Sequence, residues 1–461
     1  MAVSDRRPAA REGESDVVVS GAARASFSGY GLTLAGRFGS AVANVASLLV
    51  LVRALPPEGI GVFSLAVSTI AVLATVADAG LRTGFVRRIS RRSSGAAVEG
   101  AEGARVAPLI GGIIAFEHLF GLALGVVLLA ARRSFANAFF GGEAGVGLVA
   151  LIASGILAHN AYHVATAPAQ ARQDFRSFFG YQIAWAVARL AGIAFLAATG
   201  VHDPVAYLVA HVGSLALTAA GVLVVEPETS LRTLSGAWGR RAFREAFADL
   251  RSAHWVATGS LLFIAMSQLG VFALGHWSTL AEVGRFAAVQ RFVQVFQIAI
   301  SALWTFLLPK VLGYDARALA EYVRRLRARF PGAALLVLVG CALAALVLPL
   351  LLPPTLGDLR VVLILLGGAA LAEAYASLLS IVFLNAGAYA VVVCAAAAKL
   401  ALATLLAAAW AQAWGAPGAA AACFVAEALG LIGLALSVRA LMARLAIREN
   451  GAPRRFAEGR P

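Results

Sequence analysis

Apolar residues in this chain come in blocks, not in alternation. Stretches of Ala, Leu, Val and Gly about twenty residues long are closed off by Arg clusters, Pro and Gly. A helix needs roughly 20 such residues to cross a bilayer, and several blocks exceed the ~18 that mark a spanning segment. Twelve spans are expected, at 29–52, 60–81, 107–130, 146–168, 178–199, 205–225, 254–276, 284–308, 331–352, 359–384, 388–410 and 417–438. Composition sharpens the picture: 60% of the 461 residues are hydrophobic and 13% charged, against roughly 45–50% and 25% in soluble domains. A soluble single-core protein is excluded, and an all-α, polytopic membrane protein is predicted.

The formal net charge of +14 would suit a nucleic-acid partner, but its placement points elsewhere. Of the 38 Lys and Arg, 29 fall in alternate connections beginning with the N-terminal tail, five (Arg53, Arg132, Arg133, Arg285 and Arg360) in the opposite ones, and four within spans. That bias is what the positive-inside rule produces, so both termini are expected in the cytoplasm and no nucleic acid is expected as a partner. The polar stretch from Met1 to Ser26 has no short apolar core after its first basic residues, so no cleaved signal peptide is expected. Cys341, Cys394 and Cys423 lie in apolar segments without ligand spacing and read as small hydrophobes, not as a disulfide or metal frame.

Two cytoplasmic connections carry amphipathic patterns. Phe243, Phe247 and Leu250 recur among Arg240, Arg241, Arg244 and Arg251; Leu319, Tyr322, Leu326 and Phe330 recur among Arg324, Arg325, Arg327 and Arg329. Both are expected to lie on an anionic membrane surface.

The two halves of the chain look related. Glu58-Gly59-Ile60-Gly61-Val62-Phe63 opens the second span and Glu282-Val283-Gly284-Arg285-Phe286 the eighth, so Gly61 matches Gly284 at the start of the second helix of a six-helix unit. Six is even, so the copies share an orientation, are related by an axis along the membrane normal, and leave a cleft between two six-helix lobes. The division expected is a polar tail (1–26), an N-lobe (27–225), a linker (226–253), a C-lobe (254–440) and a basic tail (441–461).

Over residues 27–445 the chain resembles the polysaccharide transporter (O-antigen flippase-like) family of the multidrug/oligosaccharidyl-lipid/polysaccharide flippase superfamily. The resemblance rests on Leu55-Pro56-Pro57-Glu58-Gly59-Ile60-Gly61-Val62-Phe63-Ser64-Leu65-Ala66, Asp78-Ala79-Gly80-Leu81-Arg82 with Arg87-Arg88, Gln170-Ala171-Arg172-Gln173-Asp174-Phe175-Arg176, and Gly415-Ala416-Pro417-Gly418-Ala419-Ala420-Ala421. It implies a V-shaped bundle in the inner membrane that moves a polyprenyl-diphosphate-linked oligosaccharide outward by alternating access. Such a protein would work beside glycan polymerase or ligase machinery, without a cofactor.

Ionisable residues inside spans are the informative ones, because each costs about 2.5–3.5 kcal/mol on insertion scales and needs a cavity, a partner or an interface. They are Arg37, Arg189, Arg291 and Lys399, and Asp78, Glu117, Glu373 and Glu427. Arg37 and Asp78 sit near span ends, where a side chain can snorkel. Arg189, Lys399, Glu373 and Glu427 sit near mid-span, where cavity lining and interhelical ion pairing are both open. In the eighth span Gln290, Gln294 and Gln297 form a polar stripe beside Arg291; lining a cleft and interhelical hydrogen bonding both fit it.

A diphosphate headgroup carries about two negative charges, whose desolvation in a low-dielectric medium costs tens of kcal/mol. Guanidinium groups in a hydrated groove replace that solvation through bidentate contacts. The substrate-binding candidates are therefore Arg189, Arg291, Lys399, Gln290, Gln294 and Arg37, with Glu117, Glu373 and Glu427 as candidate coupling carboxylates. His159 and His163 have metal-ligand spacing, but no nearby Cys or carboxylate completes a set, so no metal is expected.

Two other functions compete. An ion-coupled multidrug exporter of the same superfamily would use a mid-membrane carboxylate. A membrane glycan polymerase or ligase is disfavoured because the longest external segment, about 131–145, offers only Arg132, Arg133 and Glu143 and no catalytic set appears.

Overall fold

The computed structural model describes residues 38–78, 103–142, 145–171, 174–225, 240–311 and 314–451. Among them the chain is all helical. Its elements are α1 (Phe38–Ala54), α2 (Pro57–Asp78), α3 (Gly103–Ala130), α4 (Arg132–Phe139), α5 (Val146–Ala171), α6 (Phe175–Ala198), α7 (Pro204–Val225), α8 (Arg240–Trp277), α9 (Leu280–Val311), α10 (Ala316–Leu351), α11 (Arg360–Asn385) and α12 (Tyr389–Gly451).

Local chemistry sets the ends. Pro57 and Pro204 occupy first helical positions, where a missing N–H costs nothing. Asp174 and Asp315 cap α6 and α10 by accepting from the backbone N–H of Ser177 (3.2 Å) and Ala318 (2.8 Å). Inside the spans, hydroxyls bond back to their own helix, as Thr69 does to Leu65 O (2.8 Å) and Thr218 to Ser214 O (2.7 Å), which makes them tolerable in hydrocarbon.

Among the described residues eight helices are long and apolar enough to cross a membrane, nine if the bent pair α3–α4 is one span. Over its described residues each of the twelve expected spans falls on a helix; the first and eighth lie on α1 and α9, which are not among those eight. The eleventh and twelfth share α12, whose 63 residues would be about 95 Å long if straight. Gly415, at φ 59° and ψ −135°, folds it into a hairpin, and an ion pair between Lys399 and Glu427 ties the arms together. Side chains such as Val224, Leu336, Leu350 and Leu405 are 70% exposed or more. Contiguous apolar surface of this kind belongs against lipid.

Three expectations change in detail. The segment after the eighth span is not a separate helix: it is the first four turns of α10, continuous with the ninth span. Leu319 and Val323 are buried with Tyr322 and Leu326 against Val311, Leu379 and Val382, and the Tyr322 hydroxyl donates to Leu378 O (3.0 Å). The apolar face is covered by protein, so lipid is not needed to cover it. Likewise the segment from Arg240 is the start of α8, although Phe243, Phe247 and Leu250 lie outside the described side chains. The stretch after α3, expected to be external, also contains a helix, α4, turned 74° from it, whose Phe139 packs on Phe272 and His276 of α8.

The lobes of this two-lobe fold meet at the end of the bundle where α2 and α9 begin, here termed the upper end. A Cβ on Gly61 would collide with the backbone carbonyl of Leu280, and one on Gly284 with that of Pro57. The two glycines matched by sequence thus make reciprocal backbone contacts, as a two-fold axis between the lobes requires. Arg53 of α1 adds a hydrogen bond to Leu351 O at the end of α10 (3.1 Å). One apolar cluster joins both lobes here through Ile60, Phe63, Val283, Phe286 and Leu352, while the lower half of the C-lobe has a cluster of its own.

Candidate functional site

Below the α2–α9 contact lies a cavity of about 180 Å³. Its polar wall comes from α1 (Asn44, Ser47), α2 (Ser64), α5 (His159), α6 (Trp185, Arg189), α7 (His211) and α9 (Arg291), with Phe63, Val67 and Ile70 among the apolar remainder. Arg291 stands eleven residues into α9 and Arg189 nine residues before the end of α6, depths of about 17 and 14 Å at 1.5 Å per residue, close to mid-bilayer.

Helix geometry positions Arg189. Trp185 precedes it by one turn, so the indole lies beneath the guanidinium at 4.9 Å. One terminal nitrogen donates to Asn44 Oδ1 on α1. The side chain is held in place and 7% exposed, yet its Nε has no hydrogen-bond partner. The same is true of Trp185 Nε1 and His211 Nδ1. Such buried donors are costly unless something accepts from them. Arg291, partly exposed, is steadied by its bond to Gln294 Oε1 (3.2 Å). Among the described residues no carboxylate lines the cavity, so two guanidiniums from different lobes face one space with no described anion in its wall.

The other expected site residues go elsewhere. Lys399 Nζ binds both oxygens of Glu427, at 2.7 and 2.9 Å. Glu373 accepts from Gln297 Nε2 (2.7 Å). These are two polar pairs of the C-lobe, neither of them among the residues lining the cavity. The glutamine stripe splits three ways: Gln290 donates to Ser267 O on α8 (2.6 Å), Gln294 holds Arg291, and Gln297 joins Glu373. Glu117 is buried on α3, where its backbone carbonyl accepts from Asn160 (3.5 Å). His159 and His163 stack at 4.4 Å, and His159 reaches the cavity. Arg37 lies outside the described residues. Trp185 and His211 were not singled out by the sequence. The available signal was the one-turn spacing of Trp185 and Arg189.

No family model matches the chain, and no curated protein does. Solved structures share its fold. An inward-facing multidrug resistance MATE family transporter of the MOP superfamily superposes with a TM-score of 0.66 at 16% identity, over 92% of this chain and 96% of that one. The lipid II flippase MurJ in an inward closed conformation gives 0.67 at 11% identity, over 91% and 90%. A MOP superfamily transporter from Pyrococcus furiosus, described as having a binding pocket of reverse polarity, gives 0.59 at 14% identity, over 91% and 96%.

Proposed function

We propose that this multi-pass membrane protein with the fold of MOP superfamily transporters is a flippase. It carries a polyprenyl-diphosphate-linked oligosaccharide across the inner membrane by alternating access, as in the polysaccharide branch its motifs resemble. One observation carries the reading: Arg189 of α6 and Arg291 of α9 line the same mid-membrane cavity, with no carboxylate among the described residues of its wall. Two like charges held together at depth are unfavourable without an anion between them, and a diphosphate supplies one.

In this reading residues 27–225 and 254–440 are the rocking lobes, the upper end faces outward and both termini are cytoplasmic, the orientation favoured by the 29-to-5 distribution of basic residues. The polyprenyl tail stays in lipid while the headgroup passes through the cavity. A membrane potential negative inside drives an anion outward by about 2.3 kcal/mol per charge per 100 mV. Glycan polymerase or ligase machinery would receive the product. Multidrug export by an ion-coupled transporter, the competing function within the superfamily, would use a mid-membrane carboxylate, and none is among the described residues lining this cavity. Expression in a strain lacking its own flippase is the test. Restored surface glycan with unchanged drug resistance supports the proposal; altered resistance without glycan overturns it.

A further inference from the structure

At the upper end α4 lies across the two lobes, and both of its ends are tied to the N-lobe. A single residue, Ala131, links it to α3: Ala131 N–H donates to Val127 O (2.9 Å) and Phe135 N–H to Ala131 O (3.0 Å). At the other end Ala136 and Phe140 are buried, and a Cβ on Gly145, one residue before α5, would overlap that of Phe140. The chain leaves α4 through Gly141 and Gly142, at φ 73° and 116°, with Gly142 N–H donating back to Ala136 O (3.4 Å).

Its remaining apolar side rests on the C-lobe. Phe135 and Phe139, one turn apart, pack on each other at 4.9 Å between ring centroids. Phe139 meets Phe272 edge-on at 5.9 Å and His276 at 5.8 Å, both near the end of α8. A Cβ on Gly275 would stand 3.5 Å from Phe139 and 3.1 Å from Leu65 of α2, so this end of α8 is seated between two N-lobe helices. By the repeat, the stretch matching α4 follows α10, and it holds only the single turn Pro354–Leu356. Helix α4 is thus an addition to one lobe and not part of the repeated unit.

We propose that α4 is a strap across the seam: it travels with the N-lobe, and the upper end opens only when Phe139 leaves Phe272 and His276. The 74° bend from α3 turns it over the end of the bundle instead of along a span. Ring contacts suit a reversible clasp, because each favours the closed state modestly and no ion pair has to break on parting. The inference rests on the alternating access of the proposed function and not on its cargo.

The test measures maleimide labelling of Val283→Cys in the full-length protein in lipid nanodiscs, resolved by peptide mass spectrometry. Val283 is 0% exposed, adjoins the Gly284 contact and is not among the residues lining the cavity, so the reagent reaches it when the upper end parts. Phe139→Ala should raise the rate about 3- to 10-fold by favouring the open state, with Phe139→Leu in its place if the alanine variant does not fold. A second reporter in the lower C-lobe core, Leu379→Cys, should keep its rate. A cleavable bifunctional thiol reagent joining Phe139→Cys to Phe272→Cys should stop labelling at Val283→Cys, and cleavage should restore it. If α4 rides with α8 instead, neither perturbation changes the rate, and that result overturns the proposal. Equal acceleration at both reporters means general loosening and overturns it too. No labelling at Val283→Cys in any variant overturns the parting of the lobes as well, whereas restored surface glycan with an unchanged reporter rate overturns the strap alone.

Discussion

Replacing Arg291 with Gln separates a ligand-binding arginine from a structural one, because the two roles predict opposite signs. A sphere of the cavity's volume, about 180 Å³, is roughly 7 Å across. The guanidiniums of Arg189 and Arg291 on its wall then stand on the order of 8 Å apart and repel by about 2 kcal/mol at an effective dielectric of ~20. Water in the cavity reduces this to about 1 kcal/mol, so Arg291→Gln should leave the unliganded protein as stable as the wild type or slightly more so. Binding should move the other way. Truncating one partner of a desolvated charge pair costs about 2–5 kcal/mol, or roughly 30- to 5,000-fold in affinity. The assay is thermal unfolding in lipid nanodiscs with and without inorganic pyrophosphate. Pyrophosphate should raise the wild-type Tm and leave Arg291→Gln nearly unmoved at the same concentration. A variant that unfolds earlier yet keeps the full pyrophosphate shift would refute the reasoning and make Arg291 a structural residue.

Other perturbations probe the frame around the cavity. Gly61→Ala places a methyl group against the Leu280 carbonyl; as overpacking against backbone it should cost about 1–3 kcal/mol. Gly284→Ala should behave alike and the double variant less than additively, read by thermal unfolding, because both open one contact. Lys399→Met leaves Glu427 buried without its partner and should destabilise by about 3–5 kcal/mol, whereas Lys399→Met with Glu427→Gln should recover most of that. Asn44→Ala removes the acceptor for Arg189; a loss of about 1–3 kcal/mol is expected, and pyrophosphate should offset part of it. Gly415→Ala forces a side chain into positive φ and onto Glu282, whose carboxylate accepts from Ala416 N–H (2.7 Å); a loss of about 1–2 kcal/mol or more should appear as a lower Tm.

Much of this protein is written in one dimension. Block length and hydropathy place the spans, alternate loading of Arg between them sets the expected orientation, and Gly61 and Gly284 mark a repeat whose copies touch across the pseudo-two-fold axis. The cost of charge in hydrocarbon likewise picks Arg189, Arg291 and Lys399 out of the apolar background.

Tertiary structure alone decided what each of these cations does. In lipid a span can be apolar on every side, so its pattern does not say which face meets a cavity, a neighbour or the bilayer. Rotation about the helix axis and the packing of distant segments settle that. They turn Arg189 and Arg291, about a hundred residues apart in the chain, toward one space. They turn Lys399, equally cationic and equally deep by sequence, into the arms of Glu427. The row Gln290, Gln294 and Gln297 is dispersed for the same reason: each amide bonds to whatever acceptor or donor the neighbouring helix presents. Away from the cavity, mid-membrane depth offers no water to substitute for a missing partner, so the fold assigns one to nearly every described polar group.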